Sequence, residues 1–269
     1  MRTDLAAECL KQTKTFPKGV YCHRQPLNGA CIEVVEIQTD NAEQRVGKPK
    51  GLYVTLELPP FWDESTETAQ LIEVVSTSLQ QFLPTEGAVL VVGLGNREIT
   101  PDALGPDTAE QILVTRHMKA IFPDLRTVAA IAPNVLGKTG MEAAEIVKAV
   151  VKEVKPVAVI VVDALASASL ERLGSTVQIT DSGIAPGSGV LNARKLLNRE
   201  SLNVPVIAVG IPTVVDLSSL LSDMDGEAMM TTPRQIDLLI RRGTAFLATA
   251  INRALHPSLS QEELLLLQS

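Results

Sequence analysis

The sequence predicts an α/β fold, a three-layer sandwich in which helices cover both faces of a mostly parallel central sheet. From about residue 87 onward, short apolar runs alternate with segments of helical periodicity, which is typical of parallel strands joined by crossover helices. The runs VAVIVVD (157–163) and PVIAVG (205–210) are almost continuously apolar, as expected for strands buried on both faces. Together these two observations indicate a doubly covered sheet.

Within this α/β part, each apolar run predicts a strand and each amphipathic segment predicts a helix. The last helix has Thr232 as its predicted N-cap, Pro233 at the next position and a long apolar stripe. In chain order we predict a strand at 88–94, a helix at 106–122, a strand at 127–132, a helix at 140–154, a strand at 157–163, a strand with its exit loop at 205–216, and the closing helix at 232–256.

The first 84 residues follow a different pattern from the rest of the chain. Segments 29–38 and 51–60 predict strands of a smaller sheet, and residues 64–83 predict a helix. This region either buttresses the main sheet or blocks the site. We therefore divide the chain into an N-terminal accessory region, residues 5–84, and an α/β core, residues 85–269.

Composition excludes several classes of function. The chain has 269 residues, 45% of them hydrophobic, a formal net charge of −7 and no basic run with interleaved aromatic residues, so nucleic acid is not an expected partner. Its three cysteines fit neither a disulfide framework nor a zinc site, which favours a reducing cytoplasm. No secretory signal and no apolar stretch of about 18 residues is present, so we expect no membrane association.

Two aspartates stand where α/β sheets gather their catalytic groups, beyond the carboxyl ends of the strands. Asp163 is the last residue of one predicted strand, and Asp102 lies in the loop after another, just before Pro106 opens a helix. Two neighbouring carboxylates can share the work of hydrolysis, because the unprotonated one draws a proton from water while the protonated one donates to the leaving group. The competing interpretation is that each carboxylate only caps backbone amides.

Two glycine-containing patterns are weaker candidates for chemistry. The segment GLGN (93–96) follows a strand, but the dinucleotide fingerprint requires a third glycine where Glu98 stands. Asp181-Ser182-Gly183 has the D-[ST]-G form of pepsin-like proteases, yet it occurs once and among α/β units. We therefore predict that Asp181 holds a turn by local hydrogen bonds and that its loop lines a substrate groove.

The sequence gives little support for catalysis by a histidine relay or by a bound metal ion. None of the three histidines stands in a plausible relay with a serine or cysteine, and no H-E-x-x-H motif or Cys/His cluster is present. We predict no metal site and no cofactor. A metal held by Asp102, Asp163 and a third carboxylate is the alternative that stays open.

Four motifs, VVGLGNREITPDALGP, LVTRH, VVDALASASLERLGSTVQITDSGIAPGSGV and VPVIAVGIPTVVD, together resemble the germination protease family of spore-forming bacteria. The resemblance covers most of the chain. It weakens near the C-terminus, where residues 224–231 stand in place of a much longer insertion. It implies an endopeptidase of the spore core cytoplasm that degrades small acid-soluble spore proteins during germination and assembles as a homotetramer.

The resemblance also implies roles for individual residues. The family's two catalytic aspartates fall on Asp102 and Asp163, and the candidates for lining the substrate groove are Asn96, Asp181, Ser182 and Gly183. The implied fold is that of the hydrogenase-maturation endopeptidases, which use a metal at the corresponding acidic positions and add a histidine from a later loop. The loop DSGIAPGSG contains no histidine, which favours metal-free, aspartic-type chemistry.

The N-terminus resembles the family's own processing site. The segment TDLAAE (3–8) has the outline of the preferred substrate T-E-[FI]-A-S-E, so we predict self-processing between Asp4 and Leu5 and a propeptide of residues 1–4. The alternative is a capped helix start with Thr3 as its cap. Two other functions stay open for the whole chain: a metal-dependent maturation endopeptidase of the same fold, and a catalytically silent binding module.

Overall fold

The computed structural model describes residues 3–11, 13, 16–27, 30–64, 68–185, 195–217 and 230–268. Its centre is a nine-stranded sheet in the order β1-β2-β3-β7-β8-β6-β4-β5, with β9 paired to β8. The strands are β1 (Val20–Leu27), β2 (Ala30–Ile37), β3 (Gly51–Glu57), β4 (Val89–Gly93), β5 (Val128–Ile131), β6 (Ala158–Ser167), β7 (Thr176–Thr180), β8 (Val206–Asp216) and β9 (Met230–Thr231).

Helices cover both faces of this sheet, which confirms the predicted three-layer α/β fold. They are α1 (Ala6–Lys11), α2 (Asp40–Val46), α3 (Ala69–Phe82), α4 (Leu104–Glu110), α5 (Leu136–Thr139), α6 (Ala143–Val154), α7 (Arg199–Leu202), α8 (Ile236–Leu255) and α9 (Gln261–Gln268). In the part of the chain that is described, no helix combines the length and apolar character needed to cross a membrane.

The two faces of the sheet carry separate hydrophobic cores because side chains alternate along each strand. On one face, Ile160 and Val162 of β6 pack with α3, α4 and α8. On the other, Val159 and Val161 pack with α6 and α7, while α1 and α2 cover the neighbouring strands β2 and β3. Asp163 follows Val162 and therefore projects on the second face.

The N-terminal strands extend the main sheet instead of forming the smaller sheet expected from the sequence. β3 pairs antiparallel with β7, so β1, β2 and β3 continue the sheet outward from β8. The sequence did not reveal β7 because its short run alternates Val177 and Ile179 with the polar residues Thr176, Gln178 and Thr180. The parallel part is β5, β4, β6 and β8. The division at residues 84 and 85 stays a prediction.

Two predicted helices have different bounds in the structure. α4 ends at Glu110 because the Asn252 side chain of α8 takes over the next backbone groups, accepting from the Leu113 N–H at 2.9 Å and donating to the Gln111 carbonyl at 3.0 Å. α8 begins at Ile236, so Thr232 is not its N-cap; the Thr232 hydroxyl instead donates to the Thr213 carbonyl.

A buried charge cluster fastens the N-terminal strands to the rest of the sheet. The Arg172 Nη2 atom lies 2.6 Å from Oε1 of Glu57 on β3 and 3.5 Å from Oε2 of Glu33 on β2. Arg172 and Glu33 are each only 6% exposed. Removing one partner would leave the other charge buried without compensation.

We expect Arg172→Met to lower the free energy of unfolding by about 3 kcal/mol, because it leaves the buried Glu33 carboxylate without its ion-pair partner in a low-dielectric site. The double variant Arg172→Met/Glu33→Met should recover most of this loss. Arg24→Met is the matched control, since Arg24 pairs with Glu57 at the exposed edge and should cost less than about 1 kcal/mol. Urea denaturation measures all three, and equal losses in Arg172→Met and Arg24→Met would contradict the buried-charge explanation.

Candidate functional site

Asp163 lies within β6 and not at its end, which corrects the position expected from the sequence. β6 continues to Ser167 because its pairing with β8 continues past a bulge after Leu165. Asp163 is 6% exposed, and its Oδ1 atom accepts a 2.9 Å hydrogen bond from the Ala164 N–H. Its partner in the register of β8 is Gly210.

Asp102 closes the loop that follows β4. It ends a single 3-10 turn, Thr100–Asp102, and its Oδ2 atom accepts a 2.7 Å hydrogen bond from the Asn96 N–H. The buried Asn96 side chain accepts from the Glu98 N–H at 3.1 Å. Asn96 therefore shapes the loop that carries Asp102.

Three glycines allow this loop to lie directly on the backbone of β6. The Leu94 N–H donates to the Val162 carbonyl at 2.8 Å, one residue before Asp163. A Cβ on Gly105 would stand 2.2 Å from the Leu94 carbonyl oxygen and 2.5 Å from that of Val162. Likewise, a Cβ on Gly93 would stand 2.1 Å from the Gly105 carbonyl oxygen, so these backbones are in van der Waals contact.

Gly95 adds a conformational requirement beside Asp102. Its φ of +123° is in the region that favours glycine, and a Cβ there would stand 2.1 Å from the Asp102 carbonyl oxygen. The glycines thus bring the loop of Asp102 against the strand that carries Asp163.

A groove opens on the same face of the sheet as Asp163. It is a cavity of about 240 Å³ whose lining includes Gln178, Gly210, Ser182 and Gly183. Ser182 and Gly183 therefore line a cavity, and its role as the substrate groove stays a prediction. Residues 186–189 of the same glycine-rich loop lie outside the described residues.

Asp181 makes a tertiary contact instead of the predicted local one. Its Oδ1 atom accepts a 2.7 Å hydrogen bond from the Leu52 N–H on β3. The side chain thereby continues the β3–β7 pairing beyond the last residue of β7 and fixes the start of the groove loop. A local turn could not be distinguished from this contact by sequence, because the partner lies 129 positions away.

The N-terminal segment is bound at this groove. Asp4 also lines the cavity, and its N–H donates to the Ala166 carbonyl at 2.8 Å while its Oδ2 accepts from the Ala166 N–H at 2.8 Å. The Gln178 amide then brackets Leu5: Nε2 donates to the Asp4 carbonyl and Oε1 accepts from the Ala6 N–H, both at 2.9 Å. The peptide bond predicted to be cut is therefore held against the sheet.

Leu5 and Glu8 attach the N-terminal segment to the body of the protein. Leu5 is fully buried, and the Glu8 carboxylate accepts from the N–H groups of Ala168 at 2.8 Å and Ser169 at 3.0 Å. The Thr3 hydroxyl also donates to Glu8 and accepts from the Leu5 N–H. Thr3 is not the N-cap of α1, which begins at Ala6; its hydroxyl instead holds the turn that precedes the helix, within the segment that lies in the groove.

Other reactive groups near the groove are held in their protonated forms. Burial raises the pKa of the Cys9 thiol, which opposes formation of a nucleophilic thiolate. Burial also raises the pKa of the Tyr53 phenol, which donates to the Pro49 carbonyl at 2.7 Å. Within the ranges described, no three His, Cys, Asp or Glu side chains are grouped so that they could hold a metal ion.

Comparison with known proteins identifies close relatives. A family model described as germination protease matches residues 2–226. A germination protease of Caldanaerobacter subterraneus subsp. tengcongensis is 38% identical over 98% of this chain and 97% of that protein. One from Clostridium acetobutylicum is 35% identical over 98% of both chains, and one from Priestia megaterium is 43% identical over 83% of this chain and 65% of its own.

The relatives also differ from this chain in length. The alignment with the Caldanaerobacter protein runs over 315 positions, more than the 269 residues of this chain, so that relative contains residues that this chain lacks. Among solved structures, a NiFe hydrogenase maturation protease, HycI from Thermococcus kodakarensis KOD1, matches 65% of this chain with 17% identity and a TM-score of 0.40.

We expect Gly105→Ala to lower the free energy of unfolding by at least about 2 kcal/mol, because the added methyl group would collide with two carbonyl oxygens that cannot rotate away. Gly137→Ala is the matched control: it also adds a methyl group to a helical glycine, but nothing lies within 4 Å of that position. Its effect should stay within about 1 kcal/mol. Thermal or urea unfolding compares them, and similar stability of the two variants would refute the close backbone packing.

Proposed function

This chain belongs to the germination protease family, and we propose that it cuts small acid-soluble spore proteins after an acidic residue during germination. The family membership makes it a protease. The observation that supports the finer proposal is that the loop of Asp102 packs on the backbone of β6, the strand that carries Asp163, and that a groove on the Asp163 face of the sheet already holds a peptide segment.

Asp102 and Asp163 would act as an acid–base pair around one water molecule. The unprotonated carboxylate draws a proton from the water as it attacks the peptide carbonyl, and the protonated carboxylate donates to the leaving amine. Two such groups close together share protons as a pair, which allows both roles at one pH. The Asn96 and Ala164 N–H groups orient the two carboxylates.

Self-processing between Asp4 and Leu5 is the second part of the proposal. The support is positional, because the Asp4 carbonyl is held by Gln178 on the face of the sheet from which Asp163 projects. Residues 1–4 would be the propeptide. We further propose that the protein works in the spore core cytoplasm as a homotetramer, as the family resemblance implies. The shortened region at residues 224–231 lies almost wholly outside the described residues.

We expect Asp102→Asn and Asp163→Asn each to lower kcat/KM on a peptide containing a T-E-F-A-S-E site by at least about a hundredfold, because an amide can neither take nor give the required proton. Asp124→Asn, at an exposed loop position, is the matched control and should keep full activity. Mass spectrometry of the products measures cleavage, with and without chelator.

Three outcomes of this experiment would change the function or the residue roles that we propose. An active Asp163→Asn enzyme would contradict its role. Loss of wild-type activity in chelator, with recovery in nickel or zinc, would indicate the metal-dependent maturation endopeptidase instead. Binding of the peptide without any cleavage, after removal of residues 1–4, would indicate a binding module.

We expect the intact chain to lose residues 1–4 on incubation under activating conditions, and the Asp163→Asn chain to keep them, since the same carboxylates would perform both reactions. The measurement is intact mass combined with N-terminal sequencing. An intact Met1 in the wild-type chain under every activating condition tried would show that this bond is not a processing site.

A further inference from the structure

The two acidic side chains of the N-terminal segment are bound by backbone N–H groups. Its two carboxylates, those of Asp4 and Glu8, are four residues apart, and both accept backbone N–H groups from one stretch of chain, residues 166–169. Ala168 and Ser169 bind the two oxygens of Glu8 in a forked arrangement. Consecutive backbone N–H groups in such an arrangement form an anion-binding concavity.

No cation neutralises the Glu8 carboxylate among the residues that the structure describes. None of the lysine and arginine nitrogens there forms an ion pair with it, although the carboxylate is 5% exposed. Lys48 lines the groove and is the obvious alternative source of positive charge. The hydrogen bonds that hold Glu8 come instead from fixed backbone donors and the Thr3 hydroxyl.

Gln178 sets the position of the peptide bond between the two acidic residues. In the sheet register it is the partner of Gly210, which is in turn the partner of Asp163, so the three residues form one row across β7, β8 and β6. Neighbouring strands are about 4.8 Å apart, which places the Gln178 and Asp163 backbones about 10 Å apart. Between them Gly210 contributes no side chain.

The Leu165 side chain fills the space above Gly210, since a Cβ on Gly210 would stand 2.6 Å from the Leu165 Cγ atom. A peptide group held by Gln178 therefore lies on the other side of the Leu165 side chain from the Gly210 backbone, in the same row as Asp163. The Gln178 Nε2–H group points at the carbonyl oxygen of the bond predicted to be cut, the atom on which negative charge develops during hydrolysis.

We propose that substrates bind as the N-terminal segment does: backbone N–H groups of residues 166–169 select two acidic side chains four positions apart, and Gln178 holds the peptide bond that follows the first. This inference rests on the proposed protease function and adds the basis of its specificity. Backbone N–H groups can only donate, so two of them can donate to both oxygens of a carboxylate, whereas a glutamine side chain offers them one acceptor oxygen and one NH2 group that is itself a donor. They also make binding less sensitive to salt than an exposed cation would.

The test uses peptides that contain the T-E-F-A-S-E site and variants with glutamine in place of the first or the second glutamate. On the wild-type enzyme we expect glutamine at either position to lower kcat/KM by at least about tenfold, as expected for loss of a charge-assisted hydrogen bond. The preference should persist from low to high salt. Equal cleavage of the glutamate and glutamine peptides would overturn the inference.

Enzyme variants separate backbone recognition from recognition by a cation. Ala168→Pro removes one N–H donor after Ser167, which lies in a strand and tolerates a following proline. It should reduce the preference for the second glutamate to less than about threefold, mainly through KM. Lys48→Met should leave the preference unchanged, and loss of the preference in Lys48→Met would assign the selectivity to that lysine instead.

Gln178 is tested by its effect on rate. Gln178→Glu keeps an acceptor for the N–H group but removes the donor to the carbonyl oxygen, so kcat should fall at least about tenfold for every peptide while the glutamate preference stays. An unchanged kcat would refute the role of Gln178. Gln81→Glu, the same substitution at an exposed position of α3, is the matched control and should leave kcat unchanged.

The outcomes also distinguish this inference from the proposed function. If the wild-type enzyme cuts no peptide with or without glutamate, the protease proposal itself fails. If it cuts them without acidic preference, only the specificity proposal fails. Should Ala168→Pro unfold, as checked by thermal denaturation, the wild-type comparison of glutamate and glutamine peptides across salt concentrations still decides the matter.

Discussion

The contact on which the rest of the site depends is the packing of glycine backbone against the middle of β6, at Val162. The loop after β4 and the start of α4 approach the carbonyl oxygens of Leu94 and Val162 more closely than any side chain would permit. This contact joins the element that carries Asp102 to the strand that carries Asp163. Asp102 and Asp163 are 61 positions apart in the sequence, and this backbone contact is what brings the two elements that carry them together.

The antiparallel strand β7 determines the other side of the groove. In a purely parallel sheet, a crossover helix would connect β8 to its neighbouring strand. Here β7 pairs antiparallel with both β8 and β3, so it brings Gln178 into the row of Asp163 and simultaneously ties the N-terminal strands to the core. The same strand thus connects the proposed substrate contact to the continuity of the sheet.

The docked N-terminal segment relates folding to function. Leu5, Ala6 and Ala7 are fully buried, so the segment contributes to the hydrophobic core as well as to the groove. Its acidic side chains are satisfied by backbone donors that a substrate would also use. A segment bound in this way occupies the groove and belongs to the folded core at the same time.

The sequence by itself determined the α/β class, the helix α6 and the central parallel strands, because continuous apolar runs and helical periodicity are local patterns. It also singled out Asp102 and Asp163, whose roles stay a proposal. Only the tertiary structure decided the single continuous sheet, the contact of Asp181 with β3 and the place of Gln178. Each of these depends on pairing between residues distant in the chain, and a short alternating strand or a lone polar side chain carries no local signal of its partner.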